Sequence, residues 1–210
     1  FVTAKAKTFC VVVVDDDDPE LAAYEDWIGR STNATSVVVP PRGHVAAINA
    51  GAEYALSHLP EPVAIAKLDD DHWPITSGWD QTMVLNLQDM GGGVVYGNDL
   101  LRGQELPTAP AISTDVVKAL SWMGPPQLRH MFVDDFWRDL GTRIGRWRYL
   151  PDVIVEHRHH TAGKSLADPA YDRTGSQKLF DADEIAYREF LADPAGMTAA
   201  ARSMSTAIEI

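Results

Sequence analysis

Val63-Ala64-Ile65-Ala66-Lys67-Leu68-Asp69-Asp70-Asp71-His72 joins an apolar run to a block of acids. The run Val63 to Leu68 reads as a short buried strand, so the carboxylates sit where a strand gives way to a loop. Adjacent like charges raise the pKa of at least one acid unless a cation is present. Acids at a strand's carboxyl end therefore suggest a divalent-metal site, with a solvated acidic turn as the alternative. Ligands bind at strand carboxyl ends in open α/β sheets, which favours the metal reading.

Strand and helix signals alternate outward from this stretch, which predicts an α/β fold with a largely parallel sheet. Thr8 to Val14 is a β-branched run that stops at Asp15-Asp16-Asp17-Asp18-Pro19, and Pro19 suits the start of a helix through Trp27 and Ile28. Ser36 to Val39 is a second strand, closed by Pro40-Pro41-Arg42-Gly43. His44 to His58 then carries Val45, Ile48, Ala52, Ala55 and Leu56 at helical spacing. After the acidic block, Gly78-Trp79 opens a helix ending near Gly91-Gly92-Gly93, and Val94-Val95-Tyr96 is a strand. Pro107 to Ser113 is extended, and Thr114 to Trp122 and Phe132 to Leu140 are helical, the latter carrying Asp134 and Asp135. Trp147 to Leu150 and Val153 to Val155 are strands running into Glu156-His157-Arg158-His159-His160. Asp181 to Leu191 is helical, and the Ala/Ser/Thr-rich tail after Pro194 has little patterning. Residues 1–165 read as one domain and 166–210 as a C-terminal helical extension.

Composition narrows the partners. A chain of 210 residues can bury roughly 70% of its unfolded surface without staples. The single Cys10 forms no internal disulfide and reads as packing in a reducing compartment. No apolar stretch approaches the ~18 residues of a membrane span, and no charged-then-apolar leader opens the sequence, so a soluble, cytoplasmic protein is expected. With 18 Lys+Arg against 30 Asp+Glu, the net charge of -12 opposes binding to nucleic acid and anionic membranes.

The order of the motifs carries more than any one of them. A strand ending in Asp15-Asp16, the segment Arg42-Gly43-x(5)-Asn49-x-Gly51, the triplet Leu68-Asp69-x-Asp71 and an Asp134-Asp135 pair before a His-rich strand end resemble GT-A glycosyltransferases, especially glycosyltransferase family 2. That resemblance covers roughly Thr8 to His160, and the chain also looks like the short GT-A-like proteins that some phages encode. Such enzymes begin with an additional strand and helix. Phe1-Val2-Thr3-Ala4 reads as the end of that helix, so the first βα unit is missing from this sequence or the fold is abbreviated.

The resemblance implies an NDP-sugar donor, either a UDP- or a GDP-sugar, with Mn²⁺ or Mg²⁺ as cofactor and a glycan, protein or small-molecule acceptor. Asp71 would coordinate the metal. Asp69 would bind the ribose or a metal-bound water, and Asp70 could serve either role. Asp15 and Asp16 match positions that hold the base and ribose, or else they form an Asp-rich helix N-terminus favoured by the dipole. Arg42 and Asn49 match positions near the nucleotide, although Asn49 could equally be a polar helix face. His157 and His159 would share one face of a regular strand and could complete the metal's coordination; an exposed polar turn is the other reading. Lys164 could reach a phosphate oxygen, and His72 and Trp73 could shape the sugar pocket. Asp134 or Asp135 would take the acceptor's proton, or simply start a helix.

Two other classes use related parts. A nucleotidyltransferase would place a Gly-rich basic loop after the first strand, where Asp15 to Asp18 is the opposite. A non-catalytic nucleotide-sugar-binding module would need no paired Asp134 and Asp135.

Overall fold

A computed structural model of the chain describes residues 8–164, 176–193 and 195–209. The reading of Phe1 to Ala4 falls outside them. Strand β1 (Cys10–Asp15), helix α1 (Leu21–Gly29) and strand β2 (Ala34–Val39) form a βαβ unit whose strands pair in parallel. Helix α2 (His44–His58) then leads to β3 (Ala64–Ala66) and, through the acidic turn, to β4 (His72–Pro74). Helix α3 (Trp79–Asp89), β5 (Val94–Asn98), β6 (Pro110–Ser113), α4 (Thr114–Leu120), α5 (Val133–Ile144) and β7 (Trp147–His157) follow. Helices α6 (Gln177–Ala192) and α7 (Met197–Glu209) close the described chain.

The α/β class and the flanking helices are as expected; the strand directions are mixed. β1 and β2 make a two-stranded sheet, and a five-stranded sheet runs in the order β3-β6-β5-β7-β4. Within the larger sheet β5 and β7 are parallel, whereas β6 and β4 run antiparallel to their neighbours. The reason is local. β6 returns through residues 99–109, which hold only the 3-10 turn Gly103–Glu105 and no α-helix, and β4 is a brief strand immediately after the acidic turn.

Alternation along the central strands builds two cores. Val94 and Ile112 face α2, α4 and α5, where Val45, Val116, Phe136, Trp137 and Leu140 are buried. Val95, Ala111, Val153 and Val155 face the opposite way, against Trp79, Met83 and Leu87 of α3. Tyr187 and Phe190 of α6 and Met197 and Ala200 of α7 lie in the first of these cores. The C-terminal helices thus pack on the same apolar layer as α4 and α5, and the tail with little patterning is helical over most of its length.

β7 also differs from its expected two pieces. It is continuous from Trp147 to His157, and the register with β5 slips between Gly97 and Asn98 so that Pro151 and Asp152 bulge outward. Gly97 is needed there, since a Cβ would come within 2.4 Å of the Val153 carbonyl oxygen. The bulge keeps β7 paired to its end, which carries His157.

Candidate functional site

The turn after β3 brings the acidic triplet against the ends of two other strands. β4 pairs antiparallel with β7 so that His72 lies directly opposite His157. Their rings stack at 4.3 Å, as same-face residues of a cross-strand pair do. The Arg158 amide donates to the Asp71 carbonyl at 2.8 Å, which clips the turn to the end of β7.

Asp71, His157 and His159 come together as a possible metal-binding group, with one ligand atom from each within 4.8 Å of the others. Asp69, Asp71 and His72 make a second such group that shares Asp71. The His157 Nε2 lies 3.2 Å from an Asp71 carboxylate oxygen, and the His157 and His159 rings meet edge to face at 5.2 Å. A carboxylate with two imidazoles is a donor set suited to a first-row divalent ion. Behind it, His157 Nδ1 is buried and faces the Asp99 carboxylate at 4.0 Å, the side on which a metal-binding histidine usually finds an outer carboxylate. Asp99 is itself buried and accepts from the amides of Leu101, Arg102 and Gly103 and from the Thr108 hydroxyl. The residues present could hold a divalent metal ion.

The protonation states follow from these contacts. Burial raises the Asp71 carboxyl, but the hydrogen bond and charge of His157 outweigh it and the net shift is downward. Burial lowers His157, and the same pairing with Asp71 turns the net shift upward. His72, its side chain 1% exposed, is pushed down to about 4 by burial. It is therefore neutral, and its Nδ1 accepts the Asp69 amide hydrogen at 3.1 Å.

A second network extends from Asp69 toward helix α5. Asp69 takes His44 Nε2 on one oxygen at 2.8 Å and Lys67 Nζ on the other at 3.0 Å. Lys67 reaches on to Asp134 at 3.3 Å and to the Thr108 carbonyl oxygen at 3.0 Å. Burial opposes both charges of the first pair. Lys67 and His44 nevertheless hold Asp69 well below the usual carboxylate range, and Asp134 and Asp69 raise Lys67. Asp134 is shifted the other way, upward, because burial outweighs the Lys67 ammonium.

His44 stands here because Gly43 caps the start of α2, where φ is +102° and a Cβ would meet the Arg129 carbonyl oxygen at 2.7 Å. His44 packs on His130 with ring centroids 5.1 Å apart. The loop holding His130 is fixed by the buried Asp183 of α6, which accepts from the amides of Arg129, His130 and Met131. That loop runs into α5 and sets the position of Asp134.

The remaining expected residues are distributed differently. Asp135 pairs with Arg138 at 2.8 Å, away from Lys67. Asn49 accepts from the amides of Met123 and Gly124 and donates to the Gly124 carbonyl, so its amide clamps the turn before α5. Lys164 pairs with Glu156 at 2.9 Å, and Arg158 lies over Trp73 at 4.2 Å. Arg42 is exposed before α2. Asp15 ends β1, and Asp16 is exposed after it. Tyr24 of α1 links the two acidic runs: its phenol is raised by burial and then by Asp18, Asp70 and Glu20. Lys67, His44, His130, Asp99 and Tyr24 were not singled out from sequence as site residues, and only Lys67 left a visible signal, a lone charge inside an apolar strand.

No known family's sequence profile matches the chain, and no curated protein matches it. Among solved structures, the chain is similar to the mannosyltransferase PcManGT from Pyrobaculum calidifontis in complex with GDP-Man and Mn²⁺, with a TM-score of 0.56 and 16% identity. The match covers 95% of this chain and 65% of that one. The fold is thus similar to that of a glycosyltransferase, and this chain spans about two thirds of that enzyme's length. No helix among the described residues is long and apolar enough to cross a membrane.

Proposed function

We propose that the chain is a metal-dependent glycosyltransferase that moves a sugar from an NDP-sugar, a GDP- or UDP-sugar, to an acceptor hydroxyl. The observation that carries this reading is the meeting of Asp71, His157 and His159 beside the Asp69-Lys67-Asp134 network. The fold is similar to that of a protein solved with GDP-Man and Mn²⁺.

Asp71, His157 and His159 would hold the metal, with Asp69 next to them. A bound Mn²⁺ or Mg²⁺ would neutralise the departing diphosphate as a Lewis acid. Asp15, Asp16 and Asp70 would meet the base and ribose, and Arg42 and Lys164 are the exposed cations nearest in sequence to α2 and to the His cluster. Asn49 would act indirectly, by fixing the turn that leads to α5.

Asp134 is the better candidate for the base. It is joined to the donor-side acid through Lys67, while Asp135 is spent on Arg138. A desolvated carboxyl with a raised pKa is also a stronger proton acceptor than an exposed one.

Hydrolysis and thermal stabilisation measured with GDP-mannose and a set of UDP-sugars, with and without Mn²⁺, test the reading. Metal-dependent stabilisation with slow donor hydrolysis is expected. Stabilisation with no turnover would favour a binding module, and nucleotide transfer from an NTP would favour a nucleotidyltransferase. Asp134→Asn should lower turnover about 10²-fold with donor affinity retained, and Asp135→Asn should change it little.

A further inference from the structure

Lys67 is a costly residue to keep where it is. Its side chain is 6% exposed immediately after β3, a strand of small apolar residues, and a buried ammonium is retained only where partners compensate its lost hydration. Its three donors are all used. The Thr108 carbonyl oxygen and Asp69 take two of them, and the Lys67 amide is bonded to the Pro110 carbonyl at the start of β6. The ammonium is thus anchored from its backbone outward, and its third direction is aimed at Asp134.

Asp69 does not depend on Lys67 alone, because His44 holds its other oxygen. For Asp134, Lys67 is the ion partner and the link to the donor side. We propose that Lys67 is a positioning residue for sugar transfer, one buried ammonium that holds the acceptor-side carboxylate of Asp134 in register with the donor-side acid Asp69. The inference rests on the glycosyltransferase reading above. Proton transfer needs a carboxylate placed within hydrogen-bond reach of the attacking hydroxyl, and small displacements of such groups are costly. Asp134 lies in the first turn of α5, whose start is set by loops, so a tether to the segment after β3 that carries the metal-side acids is what ties the two halves of the site together.

A double-mutant cycle with hydrolysis of GDP-mannose in Mn²⁺ tests this. Lys67→Met should lower kcat about 10²-fold, as Asp134→Asn does, while Mn²⁺-dependent GDP-mannose affinity stays within about threefold because His44 still holds Asp69. The double variant Lys67→Met, Asp134→Asn should lose no more kcat than Asp134→Asn alone. Losses that multiply overturn the proposal. So does a Lys67→Met protein whose donor affinity collapses while kcat stands, which would assign Lys67 to Asp69 alone. Urea midpoints of the same four proteins give a reading without catalysis. Removing Lys67 leaves the half-buried Asp134 carboxylate without its ion pair, so adding Asp134→Asn should raise the midpoint of Lys67→Met, or restore folding if Lys67→Met does not fold. No recovery overturns the link. A wild type that neither binds nor hydrolyses GDP-mannose overturns the glycosyltransferase reading, and the midpoints then decide the Lys67 link on their own.

Discussion

Asp15 to Asp18 and Asp69 to Asp71 each begin where a strand of apolar residues stops, and the chain treats them differently. At the end of β1 the acids make a local turn. The Asp18 amide donates to the Asp15 carbonyl, the Asp18 carboxylate accepts from the Glu20 amide, and Asp16 and Asp17 are exposed. After β3, Asp69 and Asp71 are drawn into a partly buried network with Lys67, His44, His72 and His157, while Asp70 is exposed. Two of these partners lie 25 and 86 residues away along the chain. A strand followed by acids therefore marks a place at the edge of a sheet. Whether that place can grip a metal depends on which cations and imidazoles the topology delivers to it.

The sharpest test of this contrast is Asp71→Ala. Asp71 is common to both possible metal-binding groups and pairs with His157, so its loss should weaken Mn²⁺-dependent GDP-mannose binding more than about 100-fold. Calorimetric titration with and without Mn²⁺ reads the effect, and circular dichroism checks that the fold is kept. Asp17→Ala is the matched change in the other run and should leave affinity nearly unaltered. Equal losses in the two variants would erase the distinction between the runs.

A smaller effect should appear with pH. Mn²⁺ binds the neutral imidazole, so protons compete with it at His157 and His159. Pairing with Asp71 raises the His157 pKa in the metal-free protein, so competition there sets in above the ordinary histidine range and grows as pH falls. His159 is shifted downward by burial and by the neighbouring His160 and His157, so it joins at lower pH. His72, at about 4, stays neutral throughout. Mn²⁺ affinity, titrated from about pH 8 to about pH 5.5, should fall by up to about tenfold per pH unit for each ring that must lose a proton. The His157→Ala, His159→Ala variant should bind weakly with a flat profile. A wild-type profile that is also flat would make the histidines bystanders.

Much of this arrangement was legible in the sequence, because strand ends and helix starts are written in local chemistry. Helix α2 was expected over His44 to His58 and is found there, and the acidic triplet follows a strand as read. What stayed hidden was long-range. Nothing local announces that β4 exists, since His72-Trp73-Pro74 becomes a strand only by pairing with β7. The same holds for β6, whose direction is set by the partner it returns to. Asn49 has the residue type of a ligand-binding position, but the turn it clamps is 74 and 75 residues away. Helix α7 covers a tail of Ala, Ser and Thr whose helical form is selected by packing on α4 and α5. His44 and Lys67 belong to the site through contacts with Asp69 that no pattern in either segment specifies.

The smallest expected effect concerns the run after β1. Tyr24 of α1 is raised by burial and then by Asp18, Asp70 and Glu20, one acid from each run among them, and the proposed reading gives Asp15 or Asp16 a contact with the nucleotide. An exposed carboxylate contributes one hydrogen bond in competition with water, worth about 0.5–1.5 kcal/mol, or roughly 2- to 10-fold in affinity. Asp16→Asn keeps the shape and most of the accepting capacity, so the loss should lie at the lower end, and Asp16→Ala at the upper end. If the acid reads base or ribose, the loss should be the same for GDP as for GDP-mannose, because the sugar is not involved. Titration of both ligands against both variants checks this. A loss of more than about 100-fold would place the main grip on the β1 run and reverse the contrast between the two. No loss in Asp16→Ala or in Asp15→Ala would remove those acids from the donor site and leave the β3 run to bind the nucleotide with α1 and α2.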